Sequence, residues 1–419
     1  MPSLPSLTPA QQAIMRAAIL QTGIPAQCDY QFAGWMPVVE SPVPSPPVNP
    51  AQQVSTGNVT VQLPAPAALP GCTDSIMAGW VGTIAAPLPP GACFEFECGK
   101  TYNVSSITLA NDTKVTSVGT GPKPILIGTP SVNMFIFPPG VQRVYIGDVE
   151  VTSPWVPAVD TGSTYPYQKS STAFGNVHGS DITLANIDLG TLNRGPALIG
   201  CQRVNLSQVN QLAPATIQSQ VVYVSGVTDL TVANSAFIDS VDESSFRITS
   251  TGNAPDDGCQ RMLIEGCAFK MQLDPIRGRT TNKAAFTGRS GTDWTIRNSY
   301  TSGGDFSIQW DAAGKQTITN VLIDGGIIVG ARLFLAQGLT NALAQGVTVN
   351  NQTGSECVSD ATAAGANITY AGIVASGPNS LLKVTGNGNP TLTGYKWSPT
   401  KTGAPVLNPN SNGSPAIIP

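Results

Sequence analysis

The sequence has few charged side chains, few aromatic side chains and only one histidine. Of its 419 residues, 11% are charged and 6% are aromatic, and the formal net charge is −4. A chain with so little positive charge does not present the basic surface that general binding to nucleic acid requires. The single histidine, His178, has no Ser or Cys motif beside it, so we interpret it as structural and not as part of a catalytic pair.

Long hydrophobic runs are also missing. No apolar stretch of about 18 residues is present to span a bilayer. The first residues, MPSLPSLTPAQQ, lack the charged segment and apolar run of a secretion signal. We therefore expect no membrane insertion and no Sec-type secretion, and without secretion we expect the cysteines to be reduced.

Motifs for metals and phosphate groups are absent as well. The eight cysteines do not form paired CxxC motifs with histidine, which predicts no zinc site. The turn Gly119-Thr120-Gly121 is not followed by GK[ST] or by a helix, so it is not a phosphate-binding loop. We expect no metal and no cofactor.

What the sequence does contain is one two-strand unit repeated between about Val141 and Asn351. In each unit a glycine or polar residue precedes two apolar residues that are separated by one position. The eight apolar pairs are Val144/Ile146, Ile182/Leu184, Val204/Leu206, Leu230/Val232, Met262/Ile264, Trp294/Ile296, Val321/Ile323 and Val347/Val349. The residues four positions after the first apolar residue are Asp148, Asn186, Gln208, Asn234, Gly266, Asn298, Gly325 and Asn351, all turn-forming or amide-bearing.

The spacing of these units is typical of a solenoid. Successive first positions differ by between 22 (204−182) and 38 (182−144) residues, within the range of solenoid repeats. A second short strand precedes most units. The pattern predicts a parallel β-helix in which each inward apolar residue stacks on its equivalent in the next coil. A β-propeller is the second interpretation, but its four-stranded blades need longer repeats.

The remaining segments predict flanking structures. Residues 8–22 predict a helix, with Thr8 as its cap and Pro9 at its first position. Residues 41–50 are rich in proline and predict extended chain. We divide the chain into an N-terminal arm (1–50), a cap or entry to the solenoid (51–100), the β-helix (101–352) and a C-terminal cap or tip (353–419).

The stretch CFEFECGKTYNVSSITLANDTKVTSVGTGPKPILIGT resembles the opening coils of pectin-lyase-like right-handed β-helices. Polysaccharide lyases, polygalacturonases and bacteriophage tailspikes share such coils. The resemblance covers roughly 93–352 and implies an all-β fold, a right-handed parallel β-helix with a short helical, Pro-rich N-terminal arm and a C-terminal β cap. Since one fold hosts many functions, the resemblance alone does not specify an activity.

An arm in front of such a helix resembles the layout of phage tailspikes and tail fibres. This likeness implies a virion protein, assembled in the host cytoplasm, that docks to other virion proteins through residues 1–50 and contacts a host surface polysaccharide. It also implies a homotrimer. The composition agrees, because 41% hydrophobic residues exceed what one narrow core requires, and three helices side by side would bury an apolar flank each.

Loops that follow the second strand of each coil should lie on one side of the helix. The longest carry the aromatic residues Trp155, Tyr165 and Tyr167, and the basic residues Lys270, Arg277 and Arg279. Aromatic rings beside polar groups suit sugar rings, and the basic set would attract an anionic polysaccharide. The alternative is that the aromatics cover the flank or a subunit seam and that the basic residues are ordinary solvated loop.

The best acidic cluster precedes the strand SFRI. Asp242 and Glu243 resemble in position the Asp-Asp pair of polygalacturonases, although the other motifs of those enzymes are missing. Stacking would bring Asp274 of a neighbouring coil near them, at the separations found in glycoside hydrolases. These three carboxylates are the candidate catalytic residues, and turn-capping acids are the alternative.

Three functions follow from these observations. The first is attachment of a virion to a host surface polysaccharide. The second is cleavage of that glycan by a hydrolase or lyase site at the candidate acids. The third is a purely structural role, such as head decoration or a fibre connector.

Overall fold

A computed structural model gives the structure of the protein. It describes residues 81–84, 87–129, 132–154, 172–190, 192, 195–211, 221–240, 244–249, 258–271, 284–309, 317–336, 338–351, 356–377, 379–399, 406–407 and 415–418. The predicted arm, with its helix at 8–22, lies outside these residues.

The described part of the chain contains β-strands and no helix. In chain order the strands are β1 (Val81–Ile84), β2 (Cys93–Glu97), β3 (Thr101–Thr108), β4 (Lys114–Val118), β5 (Ile125–Gly128), β6 (Asn133–Ile136), β7 (Gln142–Thr152), β8 (Thr172–Phe174), β9 (Asn176–Val177), β10 (Ser180–Leu189), β11 (Ala197–Ile199), β12 (Gln202–Gln211), β13 (Val222–Ser225), β14 (Thr228–Ala233), β15 (Ala236–Ser240), β16 (Phe246–Thr249), β17 (Cys259–Glu265) and β18 (Ala268–Met271). They continue with β19 (Ala284–Gly288), β20 (Gly291–Arg297), β21 (Tyr300–Ser302), β22 (Asp305–Ile308), β23 (Ile318–Asp324), β24 (Ile327–Val329), β25 (Leu333–Ala336), β26 (Leu339–Gln345), β27 (Thr348–Asn350), β28 (Glu356–Ala361), β29 (Ile368–Ala371), β30 (Val374–Gly377), β31 (Ser380–Val384), β32 (Thr391–Thr393), β33 (Lys396–Pro399), β34 (Val406–Leu407) and β35 (Ala416–Ile418).

These strands form two parallel sheets. Sheet B contains the ten strands β9, β11, β13, β16, β19, β22, β25, β28, β31 and β34, and the other 25 strands form sheet A. Each strand pairs in parallel with its equivalent one coil away, for example β17 with β14 and β20. The chain is a right-handed parallel β-helix, which confirms the predicted fold class.

The predicted column of apolar residues is present. Ile182, Val204, Leu230, Met262 and Trp294 are successive register partners, and all five are almost fully buried. Trp294 fits because Gly288 leaves room for its ring, and the indole N–H donates to the carbonyl of Cys259 at 2.9 Å. The largest buried side chain of the helix is therefore fully satisfied.

Sheet B contributes a second column that is aromatic in its centre. Phe246, Phe286 and Phe306 stack with ring centroids 5.7 and 4.5 Å apart and interplanar angles of 8° and 5°. They are flanked in register by Val222 and Leu333. Parallel in-register stacking places identical rings one coil apart, and this column buries large apolar surfaces without steric conflict.

Each coil contains more strand than the sequence predicted. The segments after the second strand of each coil were predicted to be loops, but residues 268–271, 300–302 and 327–329 of these segments form β18, β21 and β24 of sheet A. Most complete coils therefore have three strands and not two. A residue in the left-handed conformation separates the two sheet A strands, so a short second strand resembled a turn in the sequence.

The eighth predicted unit was placed five residues too far towards the C-terminus. The residues in register with Val321 and Ile323 are Ala342 and Ala344, whereas Val349 belongs to β27 and pairs with Ile328 of β24. The ladders also do not end at 352. Strands β28 to β35 continue both sheets, and the segment assigned to a C-terminal cap adds further coils.

Each coil has a polar residue with positive φ near the start of the first of its two sheet A strands, and these residues form a column. From Asp112 to Asp293 its members alternate strictly in charge, and then three asparagines follow. They are Asp112, Arg143, Asp181, Arg203, Asp229, Arg261, Asp293, Asn320, Asn341 and Asn367, with φ between 51° and 64°. Left-handed backbone is unusual for such residues and recurs because each coil turns the same corner.

Within this column each arginine holds the aspartate of the preceding coil. Arg203 donates from Nε and Nη2 to the two carboxylate oxygens of Asp181 at 2.6 and 2.7 Å. Arg143 grips Asp112 and Arg261 grips Asp229 by the same two-point contact. The arginine beside it lowers the pKa of Asp181. Beyond Asp293 the amides continue the chain of hydrogen bonds, with Asn320 donating to Asp293 and Asn341 to Asn320.

The cysteines depart in one respect from the expectation that all are reduced. Cys93 is disulfide-bonded. Among the described cysteines its partner is not found, because no disulfide involves Cys98, Cys201, Cys259, Cys267 or Cys357. Burial raises the pKa of Cys201 and of Cys267 to about 12, and both thiols pack as small residues of the core.

We predict that Gly291, at a coil corner, cannot be replaced, because the spacing between coils leaves no room for a side chain there. Gly291 has φ +145°, and an added Cβ would clash with the carbonyl oxygen of Cys259. Gly291→Ala should lower the free energy of unfolding by more than about 3 kcal/mol. The matched control is Gly330→Ala, where φ is +67° and the added Cβ meets no atom within 4 Å, with an expected cost of about 1 kcal/mol. Thermal or urea denaturation measures both, and equal losses would contradict the argument.

Candidate functional site

The outer face of sheet B carries a continuous row of polar and aromatic side chains, which we call the sheet B strip. Inward and outward residues alternate along each strand, so the residue between two core residues faces outward. The register pairs that define the row are Tyr223, Arg247, Thr287, Ser307, Phe334, Ser359 and Lys383. Tyr223 and Phe334 are four coils apart, about 19 Å at the usual strand spacing.

The hydroxyl residues in the middle of the strip are buried. Ser307 lies between the core residues Phe306 and Ile308 and so faces outward, yet it is only 2% exposed. Thr287 and Ser359 in the same row are equally buried. Thr287 shares a hydrogen bond of 2.6 Å with Ser244, whereas Ser307 Oγ has no hydrogen-bond partner among the described residues. The hydroxyl residues Thr287, Ser307 and Ser359 of the strip are therefore buried, whereas its aromatic residues Tyr223 and Phe334 are partly exposed.

A charged network borders the strip at Phe334. Arg332 donates from Nε to Asp305 at 2.8 Å and from Nη1 to Glu356 at 2.6 Å. Its guanidinium lies 5.1 Å from the ring centroid of Phe334. Lys383 Nζ is 4.0 Å from the second carboxylate oxygen of Glu356. These contacts hold the Phe334 ring in place from one side.

Eight of the nine predicted site residues lie outside the described part of the chain. The candidate acids Asp242, Glu243 and Asp274 lie outside the described residues, as do the aromatic and basic candidates Trp155, Tyr165, Tyr167, Arg277 and Arg279. In the sequence, Asp242 and Glu243 immediately precede Ser244, which contacts the strip. The predicted residues therefore remain candidates.

Lys270 is the one predicted glycan-binding residue that the structure describes. It was assigned to a loop, but it lies in β18 of sheet A, in register with Ser302. Its backbone carbonyl accepts a hydrogen bond from Ser245, the residue before β16 of sheet B. Lys270 is thus connected to the coil corner beside the strip, but it is not a member of the strip.

A pair of carboxylates that the sequence reading missed lies on sheet A. Glu150 of β7 and Asp188 of β10 are register partners on adjacent coils, and Lys123 Nζ is 2.8 Å from Asp188 Oδ2. The signal was present in the sequence, because each acid stands six residues after the first apolar residue of its unit, Val144 or Ile182.

The environment of this pair favours protonation. Burial raises the pKa of Asp188, and Lys123 opposes the shift. Burial also raises the pKa of Glu150, and the neighbouring charge of Asp188 raises it further. Two carboxylates with different partners can divide into an ionised and a protonated member, the arrangement used in acid–base catalysis.

The remaining expectations concern histidine, metals and membranes. His178 Nδ1 lies 3.0 Å from the carbonyl oxygen of Ile199, a contact across coils that fits a structural role. Among the described residues no group of three His, Cys, Asp or Glu side chains is arranged to hold a metal ion. In the same part of the chain no helix is long and apolar enough to cross a membrane.

Solved structures with similar coils are known. The chain is similar to the catalytic domain of a GH87 α-1,3-glucanase in complex with nigerose, with a TM-score of 0.52 and 13% identity, covering 78% of this chain and 63% of that one. It is also similar to PfbA, a surface adhesin of Streptococcus pneumoniae, with a TM-score of 0.55 and 12% identity over 78% and 86% of the two chains. These likenesses show the fold.

No protein-family model and no curated protein matches the sequence of this chain. The chain also spans less than two thirds of the glucanase catalytic domain. Both structural neighbours are pectin-lyase-like right-handed β-helices, in agreement with the resemblance of the opening coils.

The carboxylate pair predicts a pH-dependent stability. Because the pKa of folded Glu150 lies above its ordinary value of 4.5, its stabilising contribution is present below that pH and is lost as the pH rises through the folded pKa. Glu150→Gln should therefore flatten the decline in the unfolding midpoint as the pH rises above about 4.5.

The control is Glu265→Gln, which removes a carboxylate that faces Arg297 at 3.4 Å. Melting curves of the three proteins across this pH range test the prediction. If Glu150→Gln and the unmodified protein decline in parallel, Glu150 does not titrate as the geometry indicates.

Proposed function

We propose that the protein is a phage virion protein of the tailspike or tail-fibre kind that attaches the particle to a host surface polysaccharide. The observation that carries the proposal is the sheet B strip, where the partly exposed aromatic residues Tyr223 and Phe334 lie on one outward row with Arg247 between them. Such a surface suits a sugar chain, because the apolar faces of sugar rings stack on aromatic rings and sugar hydroxyls pair with polar side chains. The structural neighbours, a glucanase in complex with nigerose and a surface adhesin, support a role at glycans or surfaces.

The virion role rests on the arrangement of the chain. A Pro-rich arm of residues 1–50 precedes the β-helix, and in this proposal it docks to other virion proteins. Removing residues 1–50 should abolish incorporation into particles while leaving glycan binding intact. Electron microscopy of particles and a glycan-array assay of the truncated protein measure the two properties separately, and retained incorporation would contradict the docking role.

For glycan binding we predict that both aromatic residues of the strip contribute. Tyr223→Ala and Phe334→Ala should each weaken binding about tenfold, since a stacked aromatic supplies about 1 kcal/mol or more. Leu343→Ala is the control, because Leu343 faces outward from sheet A, away from the strip. Equal affinity of all variants on a glycan array would remove the strip from the binding site.

A homotrimer is the proposed assembly. One outward row of sheet A, from Ala268 through Tyr300 and Ile327 to Val374, carries no charged side chain across five coils. Val374 is 37% exposed, so this flank presents apolar surface to a partner. Closed threefold packing of such flanks would give an interface of the size found in obligate oligomers.

Light scattering tests the assembly. The full chain should have three times the mass of one protomer, and Ile327→Asp should dissociate it by placing a charge in the apolar flank. Thr369→Asp, on a different outward row of sheet A, should leave the mass unchanged. A stable monomer of the unmodified chain at micromolar concentration would refute the trimer.

A second function, cleavage of the glycan, is favoured by one observation. Glu150 and Asp188 are adjacent carboxylates in environments that raise their pKa, as a hydrolase requires of its general acid. Release of reducing ends from a bound glycan, lost in Glu150→Gln, would support this function. Binding without release would favour attachment alone.

A further inference from the structure

We infer that Cys93 is joined by a disulfide to Cys72 and that this bond clamps the predicted cap segment onto the first coil of the β-helix. The inference goes beyond the proposed function, because it concerns the closure of the N-terminal end of the solenoid and does not involve the sheet B strip. It rests on the pairing of the cysteines, on the position of Cys93 at an edge of sheet A and on the burial of the side chains there.

The cysteines of the chain leave two possible partners for Cys93. The chain contains eight cysteines, and Cys93 is disulfide-bonded. Five of the others take part in no disulfide, namely Cys98, Cys201, Cys259, Cys267 and Cys357. The two that remain are Cys28 and Cys72, which both lie outside the described residues. The partner of Cys93 is therefore one of these two.

Two observations favour Cys72 over Cys28. Residues Ser55–Pro419 form one compact unit, which contains Cys72 and Cys93 but not Cys28. Cys72 is also 21 residues from Cys93 (93−72), whereas Cys28 is 65 residues away (93−28). Because the chance that two points of a flexible chain meet falls with about the 3/2 power of their separation, the shorter loop should close about fivefold more readily. A bond to Cys72 would lie wholly within the predicted cap segment, 51–100.

Cys93 lies at an edge of the ladder where a cover is needed. It is the first residue of β2, and among the described strands β2 pairs only with β4. The other edge of β2 has no strand beside it in the described part of the chain. Such an edge presents backbone N–H and C=O groups to which another chain can pair.

The side chains at this edge are nevertheless buried. Cys93 is 2% exposed, and Phe96 of the same strand is fully buried. The C-terminal edge differs, because Ile417 of β35 is 45% exposed although its register partner Leu392 is buried. Core residues at the N-terminal edge are therefore covered to a degree that those at the C-terminal edge are not. A disulfide between Cys72 and Cys93 would keep such a cover in place, because the cross-link lowers the entropy that the segment between them gains on release.

Formation of this bond is an oxidation and needs an electron acceptor. A low-molecular-weight disulfide such as oxidised glutathione can serve. The thiolate of one cysteine attacks it, the second cysteine then displaces the mixed disulfide, and two glutathione thiols leave with the two electrons and two protons. The cytoplasm keeps thiols reduced, so the clamp would close once the protein reaches an oxidising medium. The expectation of reduced cysteines would then hold only for the protein inside the cell.

Peptide mapping of the full chain tests the pairing. Alkylation of the thiols followed by cleavage before aspartate, without reduction, separates the three cysteines into the fragments 1–28, 29–73 and 74–111. In protein exposed to oxidised glutathione we expect 74–111 to be joined to 29–73. In protein trapped inside cells with N-ethylmaleimide we expect the same two fragments to be alkylated and separate.

Each other mapping result contradicts one part of the inference. A link from 74–111 to 1–28, or no link after oxidation, would overturn the assignment of Cys72. A link already present in the trapped protein would overturn closure outside the cell.

Thermal unfolding tests the clamp itself. Reductant should lower the unfolding midpoint of the oxidised protein by about 5 °C, the effect of opening a cross-linked loop of about 20 residues. Cys72→Ser should have the lower midpoint already and should not respond to reductant. Cys98→Ser, which removes a thiol that takes part in no disulfide, is the control and should respond as the unmodified protein does. Equal midpoints of the unmodified protein with and without reductant would overturn the clamp, whichever fragments are linked.

Discussion

Backbone hydrogen bonds between successive coils are the interaction on which the rest of the structure depends. Each strand bonds to its equivalent one coil away, at the strand spacing of about 4.8 Å, and the register is the same for the paired strands of many coils. Every side chain therefore has the corresponding side chain of the next coil as its nearest neighbour. Inside, this constraint produces the column from Ile182 to Trp294 and the stack of Phe246, Phe286 and Phe306. Outside, it forces polar residues into columns as well, where like charges would repel.

The column of left-handed corners shows how the chain meets that constraint. Charges of equal sign one coil apart would repel, and from Asp112 to Asp293 the signs alternate at every coil. Arginine suits this position because its planar fork binds both oxygens of one carboxylate, as Arg203 binds Asp181. Partly exposed pairs of this kind contribute little individually, about 0–1 kcal/mol. Their larger effect is on register, since a pairing that skipped one coil would place aspartate against aspartate.

The sequence predicts the features that repeat and not the features that depend on three-dimensional detail. Pairs such as Ile182/Leu184 are visible because large apolar residues alternate with polar ones, and they gave the correct fold and column. Ala342 and Ala344 were missed because alanine is a weak apolar signal and the nearby Val347 and Val349 fitted the pattern better. The strip was missed because serine and threonine in a strand carry no sign of which sheet they belong to. The disulfide at Cys93 has no local signal at all.

The same geometry separates binding from cleavage. Glu150 and Asp188 face outward from sheet A in the coils of β7 and β10, whereas the strip lies on sheet B. The two sheets face different sides of the coil, so a glycan stacked on Tyr223 and Phe334 does not present its bonds to the carboxylate pair. Catalysis requires the reacting bond to lie within hydrogen-bond reach of the acid. A chain that binds through the strip and cleaves through Glu150 would have to wrap from one sheet to the other. Attachment needs no such path, because the strip alone supplies the surface.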